Sequence, residues 1–467
     1  MPDLEAGAAS VDATPHAEHI DNSLHSIMRV AEGEYGAPLH AKALVLRMGT
    51  TNGLLLTLDL VYLHRSHCDL LRARLAAATG IPAEAIVVHC THSHSTPFAE
   101  DLEGPHPYFD LISERAELAA RQAIRELRPA RFGFGQTHVA GASYNTQLPL
   151  DDGGVKFVRD YREGLASGRP IDPRLSVIRI DDSDGRPIAG WVRFAAHPSV
   201  VIFDAPISAE YSGYLTDRLE ATATAGAPMC FNVGACGDVN PVPMFGSEAD
   251  CQRLGENLAD LAAPVFERIE AAPAQRLGIA ESAVELPLDE PPSSATLDAE
   301  IAELDAYFAG LDTDPGNERV MGINVLPEWP VERKRDHFAP VREWAVRMKQ
   351  ALADGRPQPQ SWESPLQAWV IDGVGLLFYG GEPFVELSLA IAARSSLDEA
   401  LLMPMGNGSD GYVTTDAGLR RGGYEAYTSV RYSGSHPDWR PLPYAHGASD
   451  QLVDAGLALL AQAERES

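Results

Sequence analysis

The sequence predicts an α/β fold with a mixed β-sheet core flanked by helices. Apolar runs of strand length alternate along the chain with segments of helical periodicity, which is typical of this class. The chain has 467 residues, enough to bury a large core. Its composition, 45% hydrophobic and 22% charged, is typical of a globular enzyme and excludes a disordered chain.

The predicted elements follow one another along the whole chain. Strands are predicted at 43–47, 54–60, 85–89, 177–180, 190–195, 229–233, 369–379 and 400–403. Helices are predicted at 67–78, 111–127, 214–223, 254–269, 297–311, 340–352, 386–393 and 452–461. Residues 287–294 are rich in Pro, Ser and acidic side chains, which indicates a loop. A chain of this length suggests two or three domains of ordinary size.

The net charge and the cysteines indicate which kinds of binding partner and which cellular compartment to expect. A net charge of −29 repels nucleic-acid phosphates and anionic lipid headgroups, so we expect a small-molecule substrate, no nucleic acid and no stable membrane association. The sequence has no signal-peptide pattern and no apolar run of about 20 residues, and we expect a cytoplasmic protein. Five irregularly spaced cysteines predict reduced thiols and argue against a disulfide framework or a Cys-type zinc site. The oligomeric state is left open.

The densest chemistry is Thr-His-Ser-His-Ser-Thr-Pro at 91–97, which directly follows a predicted buried strand. Residues two apart on an extended chain face the same way, so His92 and His94 can share one site. Loops past strand ends are where active sites of α/β sheets collect, and imidazole is a good zinc ligand. Hydrogen-bonded structural histidines remain the alternative. His197 also ends an apolar run, and taken alone it favours a structural role.

Two further turns combine glycine with a polar side chain. Glu382 follows a Gly-Gly pair, which allows a carboxylate to approach a metal closely; a glutamate favoured by a helix dipole is the alternative. The glycine-rich turn at 234–241 lacks the lysine of a P-loop, and we expect it to bring Asn240 or backbone near a ligand. Residues 406–411 match G-x-G-x-x-G, but the β-like segment that follows excludes a dinucleotide fingerprint.

Taken together and in this order, five segments resemble the neutral/alkaline non-lysosomal ceramidase family. They are Thr-His-Ser-His-Ser-Thr-Pro at 91–97, Ala-His-Pro-Ser at 196–199, Gly-Glu-Pro-Phe at 381–384, Gly-Tyr-Val-Thr-Thr at 411–415 and Tyr-Glu at 424–425. The resemblance spans nearly the whole chain and implies a single ceramidase-like catalytic domain over 1–467, with a helical insertion at about 290–360. We expect a ceramidase-like homologue without the immunoglobulin-like C-terminal domain of true ceramidases.

Carried over residue by residue, the resemblance implies a zinc site and its surroundings. The implied zinc ligands are His92, His197, Glu382 and Tyr412. His94 and Tyr424 fall on residues that contact the scissile carbonyl and the developing oxyanion. The serine often assigned as the family's nucleophile is replaced by Asn240, which has no nucleophilic oxygen.

We therefore expect a zinc-dependent hydrolase of an amide bond in a small soluble substrate. Zinc acidifies a bound water and polarises a carbonyl, so water is the expected nucleophile and Asn240 a hydrogen-bond donor to substrate or oxyanion. An ester or lactone hydrolase and a metal-dependent lyase or isomerase of a polar metabolite are alternatives. A zinc-binding pseudo-enzyme is another alternative, and the replacement of serine by Asn240 is the observation that favours it.

Overall fold

The fold has four layers, two packed β-sheets with helices on both outer faces. A computed structural model describes residues 3–22, 29–101, 104–317, 319–321, 323–324, 329–433 and 438–466. Apolar side chains of both sheets meet between them, with Trp191 of one sheet stacked against Phe378 of the other. The predicted α/β class with a mixed sheet and flanking helices is confirmed, and the second sheet is an addition to it.

The larger sheet has eight strands that come mostly from the first half of the chain. They are β1 (Glu5–Asp12), β2 (His40–Met48), β3 (Thr51–Leu58), β4 (Ile86–Cys90), β5 (Arg128–His138), β6 (Arg174–Asp182), β7 (Pro187–Phe194) and β8 (Met229–Val233). Their order is β8-β7-β6-β5-β1-β2-β3-β4. Within the described part of this larger sheet, the pairs β7–β8 and β3–β4 are parallel and the other neighbouring pairs are antiparallel, so the sheet is mixed.

The smaller sheet has four strands in the order β9-β10-β11-β12. They are β9 (Leu277–Pro287), β10 (Ser361–Ile371), β11 (Val374–Tyr379) and β12 (Glu399–Met403). The single strand predicted at 369–379 is wrong, because the chain reverses within it. Ile371 pairs with Val374 across a two-residue turn, and Asp372 and Gly373 both have positive φ angles, 44° and 82°. An Asp-Gly turn of this kind is the usual connection of a tight hairpin.

Helices cover the outer face of each sheet. They are α1 (Arg65–Thr79), α2 (Pro107–Arg125), α3 (Tyr161–Ala166), α4 (Glu210–Thr222), α5 (Glu248–Arg268), α6 (Ser294–Gly310), α7 (Val331–Ala353), α8 (Val385–Arg394), α9 (Asp416–Arg421), α10 (Ser429–Ser433) and α11 (Ala448–Glu466). Helices α1, α2, α4 and α5 bury their apolar faces on the larger sheet. Helices α7, α8 and α11 do so on the smaller one.

Among the described strands of the two sheets, the sequence pattern missed β1, β5 and β9. Strand β1 consists mainly of small residues, and β5 alternates glycine with phenylalanine, so neither has the branched apolar run that marks a strand. The predicted loop at 287–294 is confirmed over 288–293, between the end of β9 and the start of α6. In the sequence, helices α6 and α7 are inserted between β9 and β10, two strands that pair with each other. The division of the chain into one domain stays a prediction.

In the part of the chain that the structure describes, no helix combines the length and the apolar character needed to cross a membrane.

All five cysteines are buried and unbridged, as predicted.

Candidate metal centre and active site

The first histidine segment is held in place by backbone bonds at the end of β4. His92 donates its backbone N–H to the carbonyl of Leu60, and Thr91 donates to that of Leu58. The extended chain expected here is not observed, because His92 has a φ angle of +69°, a strained value for a residue other than glycine. The turn nevertheless brings the rings of His92 and His94 to 4.8 Å from each other.

The second histidine segment reaches the first one after β7 has ended. His94 donates its backbone N–H to the carbonyl of Pro198, 2.9 Å away, which ties the two segments together. His197 donates its own backbone N–H to the carbonyl of Val239. As a result, the His197 ring lies 4.9 Å from that of His92 and 5.5 Å from that of His94.

Glu382 and Tyr412 are brought side by side by a short parallel strand pair. Glu382–Pro383 pairs with Tyr412–Val413, and the register places Glu382 directly opposite Tyr412. Glu382 precedes α8 by three residues, so the helix dipole does not account for it. The Glu382 side chain is buried, and its Oε2 lies 3.3 Å from Nε2 of His92 and 3.2 Å from Nε2 of His197.

The hydrogen bonds of the two histidines leave a suitable place for a proton or a metal ion between the rings and Glu382. Nδ1 of His92 lies 2.7 Å from the carbonyl of Val61, and Nδ1 of His197 lies 3.2 Å from that of Val239. A neutral imidazole carries one N–H, so donating it to a carbonyl leaves an Nε2 lone pair facing the carboxylate. Nε2 of His92 has no hydrogen-bond partner among the described residues. A shared proton or metal ion removes the resulting repulsion.

The same arrangement fits a zinc ion. Metal-binding histidines commonly donate their second ring N–H to a backbone carbonyl, which fixes the tautomer that presents the other nitrogen to the metal. Imidazole nitrogen and carboxylate oxygen are both zinc ligands, and the phenol of Tyr412 is a less usual one. We conclude that His92, His197 and Glu382 have the donor types and orientation that a zinc site needs.

Cys236, which the sequence analysis did not identify as a site residue, also lies beside His92 and His197. The ligand atoms of His92, His197 and Cys236 all lie within 4.8 Å of one another, and all three residues are buried. Cys236 belongs to the glycine-rich turn that follows β8. The available signal was a cysteine next to glycine in a turn after a buried strand, but irregular cysteine spacing argued against a sulfur ligand.

The site shifts the pKa values of its own groups. Burial raises the pKa of the Glu382 carboxyl, but the imidazoles of His92 and His197 outweigh burial and bring it below its usual range. Burial and the two neighbouring histidines lower the pKa of His94 well below its usual range. Burial and the adjacent Glu382 carboxylate raise the pKa of the Tyr412 phenol. Burial raises the pKa of the Cys236 thiol to about 12.

His94 and Tyr424 lie at the edge of this cluster and are half-buried. Nδ1 of His94 lies 2.9 Å from the carbonyl of His92, so its Nε2 is left as an acceptor. The ring of Tyr424 lies 5.8 Å from that of Tyr412. The structure thus brings together the six residues His92, His94, His197, Glu382, Tyr412 and Tyr424. Their individual roles stay predictions.

Asn240 is buried next to the centre, and its side chain has other partners. Its Nδ2 lies 2.9 Å from the sulfur of Met244, and the hydroxyl of Tyr144 is a second hydrogen-bonding neighbour. The preceding residue, Val239, supplies the carbonyl that orients His197. The role of Asn240 as a donor to substrate stays a prediction.

Solved ceramidase structures are among those whose match covers the whole of this chain. The neutral ceramidase from Pseudomonas aeruginosa has 16% sequence identity and a TM-score of 0.68, and the match covers 100% of this chain and 75% of that one. The fold is ceramidase-like. A second structure, a ceramidase complexed with C2, has 18% identity and a TM-score of 0.71, with coverage of 100% and 76%. No family model and no curated protein sequence matches the chain.

The ceramidase-like fold confirms the resemblance inferred from the five sequence segments at the level of architecture. At 16–18% identity the match concerns the fold alone. The evidence for a metal centre therefore comes from the side chains of this protein, above all from the two Nε2 atoms that face one carboxylate oxygen.

Proposed function

We propose that the protein is a zinc-dependent hydrolase that cleaves an amide bond in a small-molecule substrate. The observation that carries this proposal is the pair of imidazole nitrogens, His92 Nε2 and His197 Nε2, on one buried oxygen of Glu382. The resemblance to ceramidases favours an amide as the bond cleaved. The net charge of −29 favours a neutral or cationic substrate over an anionic one.

In this proposal His92, His197, Glu382 and Tyr412 hold the zinc ion. When bound, zinc supplies Lewis acidity to a carbonyl oxygen and lowers the pKa of water toward ~7. The carbonyls of Val61 and Val239 fix both histidines in the tautomer that binds metal. Glu382 would bind the metal as a carboxylate: positively charged His92 and His197 bring its pKa below its usual range despite burial, and a bound zinc ion would supply that positive charge in their place.

In this proposal three residues beside the metal ligands, the half-buried His94 and Tyr424 and the buried Asn240, act on the substrate. His94 keeps its N–H on the carbonyl of His92, so Nε2 can accept a proton from attacking water and return it to the leaving amine. Tyr424 and Asn240 donate hydrogen bonds to the carbonyl oxygen as negative charge develops on it. Asn240 cannot form an acyl-enzyme, because an amide side chain has no nucleophilic oxygen.

The test is a substrate screen with three states of the enzyme: zinc-loaded, stripped by a chelator, and reloaded. Matched short-chain amides, esters and lactones are each incubated with all three. We expect amide hydrolysis that is lost on stripping and restored by zinc, with label from isotopically labelled water in the acid product. Turnover of esters or lactones alone, or isomerisation without hydrolysis, contradicts the amide assignment. Zinc binding without any turnover identifies a pseudo-enzyme.

A further inference from the structure

Cys236 places a sulfur atom among the nitrogen ligands of the candidate centre. Its Sγ and the ring nitrogens of His92 and His197 lie within 4.8 Å of one another. The Cys236 side chain is fully buried at 0% exposure. Sulfur is an established zinc ligand, with a Zn–S distance of about 2.3 Å compared with about 2.0–2.1 Å for Zn–N, so a single ion could bind all three atoms if they draw closer to it.

The backbone around Cys236 is fixed from both sides of the centre. Gly234 donates its N–H to the carbonyl of Phe194, at the end of β7, and Gly237 donates to that of Pro383, 3.1 Å away. A Cβ at position 237 would lie 2.4 Å from the carbonyl oxygen of Glu382, so only glycine permits this approach. The turn that carries Cys236 is therefore held between the His197 segment and the Glu382 segment.

A nearby cysteine shows what an ordinary packing position looks like. Cys230 lies six residues earlier, on β8, and is equally buried. It packs among the apolar side chains between the two sheets. Cys236 also packs against the apolar core, but in addition the ring nitrogens of His92 and His197 lie within 4.8 Å of its sulfur.

We propose that the thiolate of Cys236 is a ligand of the metal ion that His92, His197 and Glu382 hold. This inference rests on the metal centre of the proposed function. On binding, the S–H bond breaks, its proton passes to solvent, and a sulfur–metal bond forms without any change of oxidation state. A sulfur ligand makes the centre softer, which favours zinc and cobalt over magnesium and manganese.

The experiment is a titration of Co²⁺ into the metal-free full-length chain, followed by absorption spectroscopy. We expect the parent protein to develop both the visible ligand-field bands of bound cobalt and a near-ultraviolet sulfur-to-cobalt charge-transfer band. Cys236→Ala should keep the visible bands and lose the near-ultraviolet band. Cys230→Ala, the matched control, should keep both.

The possible outcomes separate this inference from the one on which it rests. Cobalt bound without a charge-transfer band, or a band that survives in Cys236→Ala, overturns the sulfur ligand and leaves the metal centre intact. Failure of the parent protein to bind cobalt or zinc overturns both. If Cys236→Ala does not fold, X-ray absorption on the zinc-loaded parent decides, because a sulfur neighbour at about 2.3 Å supports the inference and nitrogen and oxygen neighbours alone overturn it.

Discussion

Backbone carbonyl groups orient the three histidine rings of the centre. Val61 and Val239 accept the ring N–H groups of His92 and His197, and the carbonyl of His92 accepts that of His94. Each imidazole therefore has one defined nitrogen left for chemistry. This division separates the two buried histidines, which face Glu382, from His94, which lies half-buried beside them.

His94→Ala should separate catalysis from metal binding. Because His94 does not face the Glu382 carboxylate, the variant should keep its full zinc content. Loss of a general acid–base should lower kcat by about 10²- to 10⁴-fold. Zinc analysis and steady-state kinetics on the best amide substrate measure both quantities. The exposed His138→Ala serves as the control, and loss of zinc together with activity in His94→Ala would show that His94 is a ligand instead.

At the scale of residues, the sequence identifies candidate site residues from their motifs, but it does not show which residues lie close together in space. The motifs that contain His92, His197, Glu382 and Tyr412 are recognisable because their neighbours are distinctive. Cys236 has no such motif, and its closeness to two histidines depends on chain segments far apart in sequence. The positive φ angle of His92 is likewise invisible in the sequence, since residue type alone does not predict it.

At the scale of elements, loops from distant strands meet at the centre. Strand β4 is at one edge of the larger sheet and β7 is next to the opposite edge, yet the loops that follow them join through His94 and Pro198. Glu210, the first residue of α4, connects them again. Its Oε1 accepts from the backbone N–H of Val201 at 2.7 Å and from the hydroxyl of Ser95 at 3.3 Å.

Gly237→Ala should disturb the centre from a distance. The added Cβ would lie 2.4 Å from the carbonyl oxygen of Glu382, so the strand pair that carries Glu382 has to move. Overpacking of this kind costs about 1–3 kcal/mol of the free energy of unfolding. We also expect weaker zinc binding by competition with a chelator. Gly310→Ala, where the added Cβ meets nothing, is the control, and unchanged zinc affinity in Gly237→Ala would contradict the expected movement.

Glu210 should make stability depend on pH. It is buried at φ +60°, and burial raises its pKa from 4.5 to about 7. A raised carboxyl pKa gives stability that is fully present below pH 4.5 and is lost as pH rises through 7. Relative to Glu210→Gln, the parent should therefore lose about 3 kcal/mol of unfolding free energy over this range.

Urea unfolding of the parent and Glu210→Gln between pH 4 and pH 8 measures that difference. The exposed Glu285→Gln controls for a change of surface charge and should follow the parent at every pH. A constant difference between the parent and Glu210→Gln across the range would mean that Glu210 does not titrate there.

At the scale of the whole molecule, two mixed sheets packed face to face provide a rigid base for the loops of the centre. The alternation of apolar runs and helical segments predicts the α/β class and most element positions. It does not predict a second sheet, because sheet membership depends on pairings between residues far apart in the chain. For example, β9 and β10 pair across the intervening helices α6 and α7.

The central claim, that this fold holds a metal ion on His92, His197 and Glu382, is tested most directly by elemental analysis of protein purified without added metal. We expect close to one zinc per chain in the parent. His92→Ala and His197→Ala should each remain folded by circular dichroism and bind zinc at least about 100-fold more weakly, since loss of an outer partner alone costs 10- to 100-fold. A parent that contains and takes up no zinc, or a variant of either histidine that keeps it fully, would contradict the account.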